Sequence, residues 1–129
     1  MATLDDVRRI ASKLPGAVEG PIHFGFSVEV KGKAKGFLWV WNERIEPKKP
    51  KVPNPDVLAI VVGSLTAKEI LSSDRPELYV DDPHYHSYPA LLVKLKDVEL
   101  EFLEDLIVEA WRAKAPKRLV AEYDSTESA

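Results

Sequence analysis

Chemistry-bearing side chains concentrate in one short run, Asp81-Asp82-Pro83-His84-Tyr85-His86, closely followed by Tyr88. In an extended backbone His84 and His86 would share a face, and a His-x-His pair so placed can hold zinc, iron or copper. A mononuclear site needs a third ligand, for which His23, Asp81 and Asp82 are the candidates. Pro83 and Pro89 instead frame the segment as a turn-rich loop, where exposed imidazoles ordinarily hydrogen-bond to backbone or water. No metal and no cofactor is therefore expected. His84, His86 and Tyr88 stand as an alternative site for a small ligand or metal.

Other routes to catalysis are poorly supplied. None of Ser27, Ser64, Ser72, Ser73 and Ser87 sits in a Gly-x-Ser-x-Gly elbow. There is no cysteine, which closes thiol chemistry and disulfides alike and suits a reducing cytoplasm. Glu19, Asp81 and Asp82 are carboxylates placed for acid–base work, but with 21 acids on a small domain chance pairs are common. No glycine run forms a phosphate-cradling loop ahead of a helix. The chain reads as no enzyme.

Cations form three groups: Lys31, Lys33 and Lys35; Lys48, Lys49 and Lys51; and Arg112, Lys114, Lys117 and Arg118. Lysines at hairpin tips and loops serve solubility, and cations suit the C-terminal turn of a helix. The functional reading is phosphate contact by the second and third groups. Net charge is −3, with 18 bases against 21 acids. Every base lies at or before Arg118, and removing the tail with Glu122, Asp124 and Glu127 leaves 18 acids against 18 bases. A neutral body predicts weak, salt-sensitive binding, since phosphate neutralisation drives such affinity.

The elements that must position these residues follow from periodicity. Thr3 is an N-cap with Asp5 and Asp6 in the first turn, and Leu4, Val7, Ile10, Ala11 and Leu14 form a helical stripe ended by Pro15-Gly16. Residues 17–25 read as loop-like or weakly extended. From Phe26 the period becomes two, and with Gly32 and Gly36 bracketing a turn, residues 26–31 and 37–41 form an antiparallel hairpin. Alternation places Phe37, Trp39 and Trp41 on one face. Four prolines between Glu46 and Pro55 predict an exposed loop of polyproline II character, outside any central sheet. Residues 57–62 are a third strand. Thr66 to Glu69 fits a capping box for a short second helix, broken at Asp74-Arg75-Pro76.

A brief strand at 78–80 and a stronger one at 90–95 come next. A last helix opens at Asp97 or Val98, carries Leu100, Leu103, Leu106, Ile107, Ala110 and Trp111 inward, and stops at Pro116. The order is α-β-β-β-α-β-β-α, an α+β domain of two layers: a five-stranded antiparallel sheet packed by helices. Residues 1–120 form one domain, and 121–129 an acidic, disordered tail. The longest apolar stretches, 37–41 and 57–62, are too short to span a bilayer, and the N-terminus lacks the pattern of a signal peptide. A cytoplasmic protein is expected.

Several motifs in this order resemble the MmcQ/YjbR-like family: Leu14-Pro15-Gly16, Glu19, Phe24-Gly25, the hairpin Val30-Lys31-Gly32-Lys33, the run His84-Tyr85-His86-Ser87-Tyr88-Pro89-Ala90-Leu91-Leu92-Val93, then Glu109-Ala110-Trp111-Arg112 and Ala115-Pro116-Lys117-Arg118-Leu119. The resemblance implies a two-layer α+β fold similar to secretion chaperones and to a double-winged DNA-binding domain, with no catalytic residues to transfer. The leading expectation is a non-enzymatic domain touching DNA through Lys48, Lys49, Lys51, Arg112, Lys114, Lys117 and Arg118. A protein-interaction or self-association module, using the Trp39/Trp41 sheet face or an open edge, is the alternative beside the small-ligand site.

Overall fold

The computed structural model describes the backbone of residues 2–128 and side chains through Thr126; Met1 and Ala129, the ends of the expected domain and tail, lie outside the described residues. Thr3 starts helix α1 (Leu4–Ala11) through a capping box: its hydroxyl accepts from the Asp6 N–H, and the Asp6 carboxylate accepts from the Thr3 N–H. Strands β1 (Ala17–Glu19), β2 (Gly25–Val30), β3 (Lys33–Glu43) and β4 (Val52–Val61) follow, then α2 (Leu65–Asp74). After a 3₁₀ turn at Pro76–Leu78 come β5 (Tyr79–Val80), a second 3₁₀ turn at Pro83–Tyr85, and β6 (Ala90–Lys94). Helices α3 (Leu100–Lys114) and α4 (Lys117–Ser128) complete the chain.

One antiparallel sheet runs β1-β2-β3-β4-β6-β5. The α+β class and the antiparallel sheet agree with the sequence, but there are six strands where five were expected. The added strand is β1, three residues that read as loop because so short a segment carries no period of its own. It exists by pairing with β2, and Arg8 on α1 grips Glu19 with two hydrogen bonds of 2.9 and 3.0 Å.

Two departures concern proline. The proline-bearing residues 52–55 are not an excluded loop but the first part of β4, with Asn54 opposite Trp41 and Pro53 opposite Asn42. β6 pairs only with Val57–Val61, so the proline half of β4 has a neighbour on one side and behaves as an edge. An edge is where a sheet tolerates a residue without an N–H. Pro116 does stop α3, but it also begins α4, its carbonyl accepting from Leu119 N at 3.0 Å. Proline suits a helix start as well as a helix end. Helix therefore continues through residues expected to be disordered, held by Tyr123 against Trp111 (5.4 Å between centroids) and by Asp124 on Arg112.

Smaller shifts have local causes. Ser64, not Thr66, caps α2, its hydroxyl accepting from the Ala67 N–H at 3.0 Å. α3 opens at Leu100 with Glu99 at the cap position, where its carboxylate accepts two 2.7 Å bonds from Arg75. Phe37 leaves the face of Trp39 and Trp41. Phe26 lies opposite Leu38 while Ser27 lies opposite Gly36, so Phe37 is the extra residue of a bulge and joins the core beside Leu38.

The main core lies between the sheet and α1, α3 and the start of α4: Val7, Phe26, Phe37, Leu58, Ile107 and Trp111 are all essentially buried. A smaller cluster of Trp41, Val57, Ala59 and Leu92 occupies the other face. Trp111 is fully buried, and its indole N–H donates to the Pro15 carbonyl at 2.9 Å, tying α3 to the turn after α1. Trp111→Phe would leave a void and an unpartnered carbonyl. Chemical denaturation is expected to show a loss of about 2–4 kcal/mol.

Candidate functional site

Residues 81–88 fold over the second face of the sheet. Asp82 is the pivot, because one carboxylate oxygen accepts from Trp41 Nε1 at 3.0 Å and the other from the His84 N–H at 3.0 Å. The second bond caps the 3₁₀ turn of residues 83–85. Burial alone would raise the Asp82 pKa; the hydrogen bonds from Trp41 and His84, helped by the charges of His84 and Lys51, hold it below its usual value. Tyr85 lies over Trp39 and accepts from its indole N–H at 3.1 Å. Tyr88 packs edge-on against both Trp39 and Tyr85, at 6.2 and 6.1 Å between centroids. Lys68, reaching across from α2, donates to the carbonyls of Tyr85 and Tyr88. Desolvation lowers the Lys68 pKa, with the Asp81 carboxylate opposing.

This geometry revises the sequence reading of the histidines. An extended segment would present His84 and His86 together, but the backbone turns through a 3₁₀ helix, in which residues two apart point to different sides. His86 Nε2 instead lies 2.6 Å from Asp81 Oδ1. Among the described residues no cluster of three His, Asp or Glu side chains suits a metal ion. The Trp39/Trp41 face, one of the alternative surfaces for a partner, is covered by the chain's own Asp82, Tyr85 and Tyr88.

Between this loop and α2 lies a cavity of about 490 Å³. Its α2 wall carries Leu65, Lys68, Glu69 and Ser72; the sheet side carries Tyr79, Val80 and Leu92, and the rim Asp81, Asp82 and His86. Tyr79 is 9% exposed and its hydroxyl is buried without a hydrogen-bond partner. Burial raises its pKa, so the phenol keeps its proton. Lys68 did not stand out in the sequence, where a lone lysine in a helix carries no sign of the distant loop it will hold.

The cations are regrouped by the fold. Lys48, Lys49 and Lys51 lie on the loop between β3 and β4, which Arg44 closes by donating to the carbonyls of Pro47 and Lys49. Lys49 pairs with Glu46 at 3.5 Å. Arg112 borders Val62 and Gly63, at the opposite end of β4, and ten strand residues span roughly 30 Å. The two groups expected to act together are thus held apart. Arg112 is also committed to Asp124 at 2.6 Å and Glu109 at 3.7 Å.

Lys31, Lys33 and Lys35 lie closer to the C-terminal cations than the loop lysines do. Gly16 is wedged between Leu119 of α4 and Val28 of β2, where an added Cβ would meet them at 2.7 and 3.4 Å. Val28 lies opposite Lys35, so the start of α4 sits over the β2–β3 hairpin. Lys114, Lys117 and Arg118 therefore share an end of the molecule with the hairpin lysines, and among the described residues none of the six forms an ion pair.

The Asp82 bonds make a prediction with a defined sign. A carboxyl whose folded pKa is depressed contributes stability in full above its unfolded value, here 3.8, and loses it as pH falls through the folded value. Asp82→Asn, which offers one acceptor oxygen where two are used, is expected to cost about 1 kcal/mol at pH 7 by urea denaturation. The gap from the parent chain should close on acidification below pH 3.8.

No family model matches the chain. Among solved structures, the crystal structure of Deinococcus radiodurans protein DR2400, with a DUF419 domain, superposes with a TM-score of 0.63 over 86% of this chain and 77% of that one, at 21% identity. That likeness shows a shared fold. Among curated proteins, the uncharacterised proteins Rv2570 of Mycobacterium tuberculosis and Mb2600 of Mycobacterium bovis are each 34% identical over 124 residues, covering 95% of this chain and 96% of theirs. Identity at that level along nearly the whole length means that the chain belongs to the same family as these mycobacterial proteins.

Proposed function

We propose that the chain is a non-enzymatic, cytoplasmic member of the MmcQ/YjbR-like family that binds nucleic-acid phosphates weakly through the hairpin end of its sheet. The DUF419 fold of the Deinococcus protein supports the family assignment. For binding, the carrying observation is the group Lys31, Lys33, Lys35, Lys114, Lys117 and Arg118, gathered at one end without ion-pair partners among the described residues. Among the described residues no helix is long and apolar enough to cross a membrane, in keeping with the proposed setting.

Three of these cations stand where local physics disfavours them. Lys31 has φ of 53° and Gly32 φ of 81°, which makes the hairpin a two-residue turn of the kind that favours Asn or Gly at the first place. A lysine held there costs about 1 kcal/mol. Lys117 and Arg118 lie in the first turn of α4, against the positive end of its dipole. An anion relieves that conflict, since the free N–H groups of a helix start and two cations all favour it. Local rules broken without a local gain point to selection for something else.

Fluorescence anisotropy with a labelled 20-base-pair duplex tests the reading. Binding at 50 mM salt is expected to weaken steeply by 200 mM, with a log–log slope no steeper than about −5, set by six cations. Lys31→Glu combined with Lys117→Glu should weaken binding at least tenfold and reduce the slope by about 2. Reversing Lys48, Lys49 and Lys51 together should change affinity by no more than about twofold, because that loop is distant. No binding at low salt, or an equal loss from the loop variant, would remove the proposal.

A further inference from the structure

A groove of about 500 Å³ lies between α2 and α3. α2 supplies Ala67 and Leu71, α3 supplies Phe102, Leu106 and Ala113, and Val62, just after β4, completes the apolar lining. Ile70, 64% exposed, follows Ala67 by three residues and extends the apolar surface of α2. Both walls are helices, whose backbone groups are already paired, so an extended chain would find no ladder to join. A helix satisfies its own backbone, and it is the occupant such a groove suits.

The second observation is one of charge. Glu101, Asp105 and Glu109 are spaced four apart on α3 and so share one side of the helix. Asp105 and Glu109 line the groove itself. Like charges at this spacing repel and weaken a helix. Glu101 suits the helix start, but Asp105 and Glu109 lie beyond that first turn and gain nothing from it. Among the described residues neither Glu101 nor Asp105 makes an ion pair. The nearby cations are spent elsewhere. Arg112 meets Glu109 at 3.7 Å but gives Asp124 two bonds of 2.6 and 3.2 Å. Arg75, beside the Phe102 ring, is held by Glu99. Repulsion kept beside an open apolar groove has no local benefit, and a cationic partner relieves it.

We propose that this groove receives a basic amphipathic helix of a partner protein. Its aliphatic side chains, four residues apart, enter between α2 and α3, while its lysines or arginines meet Glu101, Asp105 and Glu109. From Phe102 to Ala113 the wall measures about 16 Å at 1.5 Å per residue, the length of three helical turns. An acidic helix with the same apolar face meets the carboxylate row and is rejected. A second copy of the chain, docking by this same face, would bring two acidic rows together.

Fluorescence anisotropy with two capped, labelled peptides of about 14 residues tests the proposal. Both carry leucine at every fourth place and alanine elsewhere, with lysine beside each leucine in one and glutamate in the other. The lysine peptide is expected to bind with a dissociation constant of about 100 μM or tighter, and the glutamate peptide at least tenfold more weakly. Glu101→Lys with Asp105→Lys should weaken the lysine peptide about tenfold or more. Ile70→Ser, at an exposed position that leaves the core intact, should weaken it about threefold. Glu29→Lys with Glu43→Lys, on the sheet and distant from the groove, changes net charge equally and should alter affinity by no more than about twofold. Sedimentation of the protein alone should give a monomer. No binding of the lysine peptide, equal binding of both peptides, equal loss from the Glu29/Glu43 variant, or a dimer that Ile70→Ser dissociates would overturn the proposal.

Discussion

β4 must be dry on both faces from Val57 to Val61, and much of the molecule follows from meeting that requirement. Leu58 and Ile60 face the helices, whereas Val57 and Ala59 face away. The helices cover the first side with a large continuous core. On the second side the chain covers the Trp39/Trp41 face with its own loop of residues 81–88. Two tryptophans on that face bring indole N–H groups that need acceptors, and Asp82 and the Tyr85 hydroxyl supply them. Hydrogen bonding and apolar cover are thus met by the same few residues.

The cover is incomplete, and that is the origin of the cavity. A loop of eight residues closed by tyrosines cannot fill the space up to α2, which is anchored at its cap and by Lys68 rather than by a buried stripe. α3, by contrast, has a broad apolar face and buries Leu103, Leu106, Ile107, Ala110 and Trp111. The contrast between α2 and α3 is one of amphipathicity, and it decides how deeply each helix is buried.

Trp111 has a comparable role on the solid side. Its ring lies against Tyr123, and its N–H reaches the Pro15 carbonyl, so α1, α3 and α4 are locked at one corner. That corner brings Lys117 and Arg118 over the β2–β3 hairpin. Electrostatic grouping here is a consequence of core packing, since nothing in the charges themselves draws six cations together.

Several elements were legible in the sequence because their signals are local. The Thr3 cap, the stripes of α1 and α3, the alternation from Phe26 and the break at Pro116 each depend on residues within a turn or two of one another. β1 was not legible, because three residues become a strand only when β2 lies beside them. The first half of β4 was misleading for a related reason: whether proline is tolerated depends on having one neighbour or two, which is a fact about the sheet. The bulge that turns Phe37 inward is set by its fit to β2, so alternation alone misplaced it.

The candidate sites divide in the same way. Composition and periodicity by themselves determined an α+β domain with an antiparallel sheet, a loop rich in Asp, His and Tyr, and three groups of cations. Only the tertiary structure decided that His84 and His86 point apart, that Lys68 reaches the carbonyls of Tyr85 and Tyr88, and that the hairpin lysines rather than the loop lysines join the cations of α4. Hydrophobic period acts over a few residues and can be read along the chain; side-chain convergence is set by which distant elements share the core, and becomes defined only when that core has formed.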